Sequence, residues 1–146
     1  MAAHGSEHEG PPLMAELSVS ECWALMRESP VGRLAVTVDG QPEIFPVNHV
    51  VDHGSVVFRT AAGTKLSGCL GRPVAFEVDG YDLVTATAWS VVAKGTAREI
   101  LSADEALAAL QLPVLPWHNA PKPRFVRLAP DNLTGRRFAV AGGVRS

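Results

Sequence analysis

The sequence predicts a mostly β protein, with six or seven short antiparallel strands and three short helices between them, closed into a small barrel. Three observations carry that expectation. Apolar residues recur with period two, as where Leu34, Val36 and Val38 alternate with Arg33, Ala35 and Thr37. Tight-turn dipeptides, Asp39-Gly40 above all, join neighbouring strands as hairpins rather than through the helical crossovers of a doubly wound sheet. Gly95 stands within the long strand from Thr87 to Ile100, where a bulge or a barrel corner is expected, and closure removes exposed sheet edges.

Residues 1–16 contain His4, Gly5, Gly10, Pro11 and Pro12 with little apolar content, and read as a disordered leader. His4 and His8 have a helical metal spacing, but Gly5 between them weakens any helix there. Order is expected from Leu17, giving a single domain over 17–140 and a short tail over 141–146. Ser18 and Glu21 form a capping box, and Cys22, Leu25 and Met26 make the apolar face of a helix that ends before Pro30. The strand Gln41 to Val51 carries Pro42 and Pro46, so it is expected at an edge or irregular. Asp52-His53-Gly54 turns into a strand ending at Arg59. Leu66, Cys69 and Leu70 mark a second short helix closed by Gly71. Pro73 to Asp79 is a strand, followed by an irregular connection at Gly80-Tyr81-Asp82. Ser102 and Glu105 cap a third helix, a proline-rich connector follows, and Arg124 to Leu128 and Thr134 to Val140 close the chain as strands.

A chain of 146 residues with 47% hydrophobic content can bury a core without disulfides or metals. The formal net charge of -2 and the lack of a dense basic stripe argue against nucleic acid as a partner. Cys22 and Cys69 match no metal or redox spacing and read as reduced core residues. No signal-peptide pattern or membrane-length apolar run occurs, so the expectation is a soluble, cytoplasmic protein with no membrane partner.

The most informative stretch is Val56 to Leu66. It reads as an apolar strand, a small-residue loop and the first turn of a helix, with Arg59 and Lys65 at the loop's two ends. Gly63 permits close backbone approach, and Thr64 can cap the helix while offering a hydroxyl. Cations flanking a helix start suit a phosphate. On local grounds the same loop reads equally well as a connection with solvated charges.

The ordered series G-R-L-A-V, D-G, P-V-N, V-V-F-R-T, G-T-K-L, V-A-F-E-V-D, W-S-V-V and R-L-A-P…T-G-R-R resembles the flavin-binding split-barrel proteins, in particular small members similar to pyridoxamine 5′-phosphate oxidase. The likeness spans roughly residues 17–138. It implies a six-stranded antiparallel split barrel, a homodimer, and FMN held at the subunit interface. It further implies that Arg59, Thr60, Thr64 and Lys65 hold the FMN phosphate, that Pro46, Val47 and Asn48 lie beside the isoalloxazine, and that Trp89 and Ser90 reach the partner's flavin. Asn48 also reads as the cap of an irregular strand, and Trp89 as a core or interface residue. The Glu-Phe-Trp-Gln-Gly segment and Arg-x-His pair of the vitamin B6 oxidase have no counterpart between Gly80 and Ala120, so that activity is not expected.

No catalytic residue is assigned, because the chemistry of such a protein belongs to the flavin. His49 and His118 are candidates for proton donation near the ring. The favoured reading is an FMN-dependent oxidoreductase acting on a small molecule. One alternative is a reductase using deazaflavin, whose polyglutamate tail calls for a basic groove that Arg124, Arg127, Arg136 and Arg137 would have to supply. Another is a non-catalytic flavin or haem carrier, with His49 or His118 as axial ligand.

Overall fold

The computed structural model describes residues 14–61, 63, 64, 66–102, 104, 105, 108 and 123–140. Among the described residues eight strands run in chain order: β1 Met14–Glu16, β2 Val31–Val38, β3 Gln41–Asp52, β4 Ser55–Ala61, β5 Pro73–Asp82, β6 Thr87–Glu99, β7 Pro123–Leu128 and β8 Asn132–Ala139. The α-helix α1, Val19–Glu28, lies between β1 and β2. The sheet order is β1-β8-β6-β5-β2-β3-β4-β7, and β7 also pairs with β6. That last pairing closes β6, β5, β2, β3, β4 and β7 into a six-stranded antiparallel barrel, with β8 and β1 extending outward from β6.

The hairpins form where turn chemistry places them. Asp39 and Gly40 both take positive φ, 50° and 76°, as do His53 and Gly54 at 49° and 72°, which is the mirror-image turn that matches strand twist. β2 alternates as expected, with Leu34 and Val36 buried and Arg33 and Ala35 outside. The capping box of α1 is complete: the Glu21 amide donates to Ser18 Oγ at 3.1 Å and the Ser18 amide donates to Glu21 Oε1 at 2.8 Å. Cys22 and Met26 face the core, which they share with Leu34, Val47, Phe58, Phe76, Val78, Val91, Val126 and Leu128. Both cysteines are free and buried, and burial pushes the Cys69 thiol up to about 11, as expected of an inert core residue.

Gly95 sits at the corner of the barrel. N-terminal to it β6 pairs with β8 through Thr87–Lys94, and C-terminal to it with β7 through Ala97–Glu99. A Cβ at Gly95 would stand 2.9 Å from the Ala129 carbonyl oxygen, so glycine lets the β7–β8 connection cross close by.

Three boundaries differ from the sequence reading. Met14–Glu16, read from sequence as part of the leader, form a strand, because they pair with Phe138–Arg136 of β8. Leu66–Cys69 is a single 3-10 turn rather than a helix, closed by Gly71 at φ 76°. Gly80, Tyr81 and Asp82 belong to β5 and pair with Trp89, Ala88 and Thr87. For the third helix, the cap itself is present, with the Glu105 amide donating to Ser102 Oγ at 3.1 Å, while most of the segment after it lies outside the described residues. Outside them too are residues 1–13, with the His4/His8 pair, and the tail 141–146. No helix among the described residues is long and apolar enough to cross a membrane.

Candidate functional site

The site is built where β3 and β4 part. Their ladder runs from Asp52↔Ser55 to His49↔Phe58 and ends there. Beyond it β3 stays with β2 (Asn48↔Val31, Val47↔Gly32, Pro46↔Arg33), while β4 stays with β7 (Arg59↔Phe125, Thr60↔Arg124). Continued, the register would set Arg59 against Asn48 and Thr60 against Val47; the strands instead diverge into a fork. Pro46, at the outer edge of that fork, needs no ladder partner for an amide it does not have.

Alternation sorts the fork's side chains by face. Val47 is 2% exposed and Thr60 6%, and both point into the barrel. Pro46, Asn48 and Arg59 are on the outer face, with Arg59 stacked at 5.3 Å over the Phe125 ring. The loop after β4 turns back on the strand: Thr60 Oγ1 and Thr64 Oγ1 are 3.3 Å apart, Gly63 takes φ 79°, and the Ser67 amide donates to Thr64 Oγ1 at 3.2 Å. Thr64 thus caps the 3-10 turn, as expected of it at a helix start. Lys65 lies outside the described residues, as does His118. The structure therefore brings Pro46, Val47, Asn48, Arg59, Thr60 and Thr64 together around one fork.

Trp89 and Ser90 stand elsewhere. They lie on β6 between Gly80 and Asp79 of β5 and Arg137 and Arg136 of β8. β6 meets β7 only from Ala97 onward, about 25 Å further along the strand at roughly 3.3 Å per residue. Within one subunit they are not part of the fork. The Trp89 indole lies on Gly80, where an added Cβ would approach its Cζ2 to 2.7 Å. With Tyr81, Leu83, Phe138 and Val140 it lines an open cleft of about 760 Å³. The hairpin tip beside this cleft is apolar and bare, with Val84 95% exposed.

Sequence reasoning missed the group between these two places. Arg33, Glu77 and Asp79 share the outer face of β2 and β5, with Arg33 Nη2 2.9 Å from Asp79 Oδ1 and Nη1 3.8 Å from Glu77 Oε1. The signal was present in the alternation of Phe76-Glu77-Val78-Asp79, which puts two carboxylates on one face. Burial and the neighbouring Asp79 carboxylate raise the Glu77 carboxyl from 4.5 to about 7, with Arg33 opposing. A carboxyl raised in this way supports the fold below its unfolded value and loses that contribution as the pH rises through 7. Glu77→Gln should therefore stabilise the protein at pH 8 by about 1 kcal/mol, discounted for partial exposure, and change little at pH 4. Melting temperatures of both proteins across that range check it.

A closed six-stranded antiparallel barrel with this strand order has the split-barrel architecture. The chain belongs to the family whose model is described as pyridoxamine 5′-phosphate oxidase, which matches residues 18–137. It is 35% identical to an uncharacterized Mycobacterium tuberculosis protein over 131 residues, 86% of each chain. A solved FAD binding protein from Mycobacterium smegmatis is 40% identical with a TM-score of 0.74, covering 85% of this chain and 97% of that one. A conserved Corynebacterium diphtheriae protein of unknown function is 34% identical with a TM-score of 0.75, covering 88% and 100%.

Proposed function

We propose that this protein binds a flavin coenzyme at the β3–β4 fork, as a homodimer, and acts as a flavin-dependent oxidoreductase on a small molecule. The observation that carries the reading is the fork itself. Two stretches distant in sequence, 46–48 and 59–64, are each expected to contact the cofactor and stand against each other across it. The residues suit the group. Arg59 offers a fixed cation on the outer face, Thr64 and Gly63 shape a tight loop, and Pro46 and Asn48 border the gap. Arg59, Thr60, Thr64 and Lys65 are assigned to the phosphate, and Pro46, the Val47 backbone and Asn48 to the ring. A bound flavin supplies the electron-transfer chemistry, and the chain supplies position and charge.

The outer sheet face supports homodimerisation. Pro46, Arg33, Glu77, Asp79, Ser90 and Arg136 run across β3, β2, β5, β6 and β8, and no described element covers them. A second copy on this face would bring its Ser90, with the end of β6 that carries Trp89, to the fork they do not reach within one subunit.

FMN and FAD share the ribityl phosphate, so the phosphate assignment serves both. The 40% identical FAD binding protein supports FAD beside the FMN expected from sequence. Deazaflavin is the weaker reading, because Arg127, one of four arginines available for its acidic tail, is held by Asp52 at 3.1 Å and Ser55 at 2.6 Å. Haem is weaker still, since His49 is buried and donates to a main-chain carbonyl. The missing vitamin B6 oxidase segments leave the substrate to be found among other small molecules.

The test is titration of the purified protein with FMN, FAD, deazaflavin and haemin, followed by absorbance and fluorescence, with light scattering for mass. Saturable flavin binding by a dimer is expected. A protein that leaves both flavins unbound overturns the reading, and a flavin-binding monomer overturns the dimer.

A further inference from the structure

His49 closes the ladder at the mouth of the fork, and its ring is held in an unusual way. It is 6% exposed, with Nε2 3.0 Å from the Met26 carbonyl oxygen near the end of α1. A carbonyl only accepts, so Nε2 carries the hydrogen and Nδ1 is a bare lone pair. That lone pair is buried, and no hydrogen-bond partner reaches it among the described residues. The ring meets Phe76 of β5 edge-on at 4.8 Å, and the His49 amide donates to the Pro30 carbonyl at 3.4 Å. One residue thus ties β3 to α1, to the start of β2 and to β5, at the point where β3 leaves β4.

We infer that His49 is a positioning residue whose neutral ring pins the fork in its ligand-binding shape, and whose protonation releases it. The inference rests on the flavin reading only for what the fork holds. Protonation would put a hydrogen and a charge on Nδ1, where the described surroundings offer neither acceptor nor counter-charge. The groups facing the ring are the Met26 carbonyl of α1, the Phe76 ring of β5 and, across the ladder, Phe58 of β4; none titrates. Burial lowers the imidazole below its usual range, the Met26 bond opposing, and no carboxylate or cation contributes. The cheapest way to hydrate the charged ring is to loosen β3 where its ladder with β4 already ends.

The experiment compares the parent with His49→Gln, which keeps an amide donor but does not titrate. FAD is the probe, because its pyrophosphate does not change charge between pH 7.5 and 5.5. Because burial lowers the imidazole, the comparison is carried on from that interval down to pH 4.5, and the parent should lose at least twofold more FAD affinity than His49→Gln. Equal slopes in the two proteins, or a flat parent, would overturn the inference. A merely structural histidine would lower the melting temperature on substitution without altering the slope.

Hydrogen exchange of ligand-free protein gives a readout independent of flavin. After correction for intrinsic rates, amides of 47–49 should exchange at least about threefold faster at pH 5.5 than at 7.5 in the parent and equally in the variant. If FAD fails to bind at any pH, the flavin reading falls and exchange alone decides the role of His49. If His49→Gln does not fold, a pH-independent exchange rate in the parent still overturns the inference.

Discussion

Phe76→Ala should destabilise the protein by about 3–5 kcal/mol, the scale for deleting a fully buried phenylalanine whose site cannot collapse. The ring is 0% exposed on β5, packed edge-on against His49. It lies directly over Gly32 of β2, so that a Cβ there would come within 2.2 Å of Phe76 Cζ. β2 and β5 are paired over only three residues, Arg33–Ala35 with Glu77–Ala75, so side-chain packing contributes heavily to holding this side of the barrel closed. Denaturant unfolding should show the midpoint falling with an unchanged slope. The converse substitution, Gly32→Ala, should also be costly, because it drives a methyl into the ring and to 2.9 Å from the Glu77 carbonyl oxygen. Combined, the two changes should cost less than the sum of the single ones. The ring clash vanishes while the backbone contact remains, leaving a favourable coupling of about 1 kcal/mol. Strict additivity would mean that the ring and the glycine do not meet.

That pair also marks the boundary between what the sequence reveals and what it does not. The hairpins are legible, because alternation in β2 and the Asp39-Gly40 and His53-Gly54 turns are local properties. Gly80 reads locally as a break after β5, yet it lies inside the strand. Its purpose is to accept the Trp89 indole from the next strand, and nothing within a few residues of Gly80 announces that neighbour. β1 escapes notice because three residues cannot display a period; only their pairing with β8 makes them a strand. Likewise Leu66–Cys69 carries a helical apolar spacing, but Gly71 stops the chain after one turn.

For the candidate site, the residue types are legible and the construction is not. Arg59 and the small-residue loop point to a phosphate from chemistry alone. Their meeting with Pro46–Asn48 depends on β3 exchanging β4 for β2 at His49, which is a matter of sheet topology. Alternation holds more information than the motif does. Within 46–48 it sends Val47 inward between two outward neighbours, so only the main chain of Val47 is available to a ligand. The histidine that follows has the chemistry of a proton donor for the cofactor. Its register instead directs the ring inward to Met26, and the main-chain acceptor there lies 23 residues away in sequence.

Arg59→Ala should weaken binding of FMN by about 1.5–3 kcal/mol, or roughly 10–150-fold, the range for a charge-assisted hydrogen bond to phosphate. Half-buried on the outer face beside the fork, the guanidinium is oriented by Phe125, so the substitution removes a cation held in place before ligand arrives. Riboflavin isolates the phosphate, because it carries the same ring and ribityl chain without that group. The parent should bind riboflavin more weakly than FMN by at least the amount that Arg59→Ala removes from FMN, and the variant should keep only the smaller preference for FMN that Thr60, Thr64 and Lys65 supply. Arg59→Lys should fall between, since lysine restores charge but neither the planar fork of donors nor the stack on Phe125. Calorimetric titration of three proteins with two ligands yields every leg of this cycle. Equal weakening for FMN and riboflavin would place Arg59 on the ring or the sheet and remove it from the phosphate, whichever flavin the protein prefers.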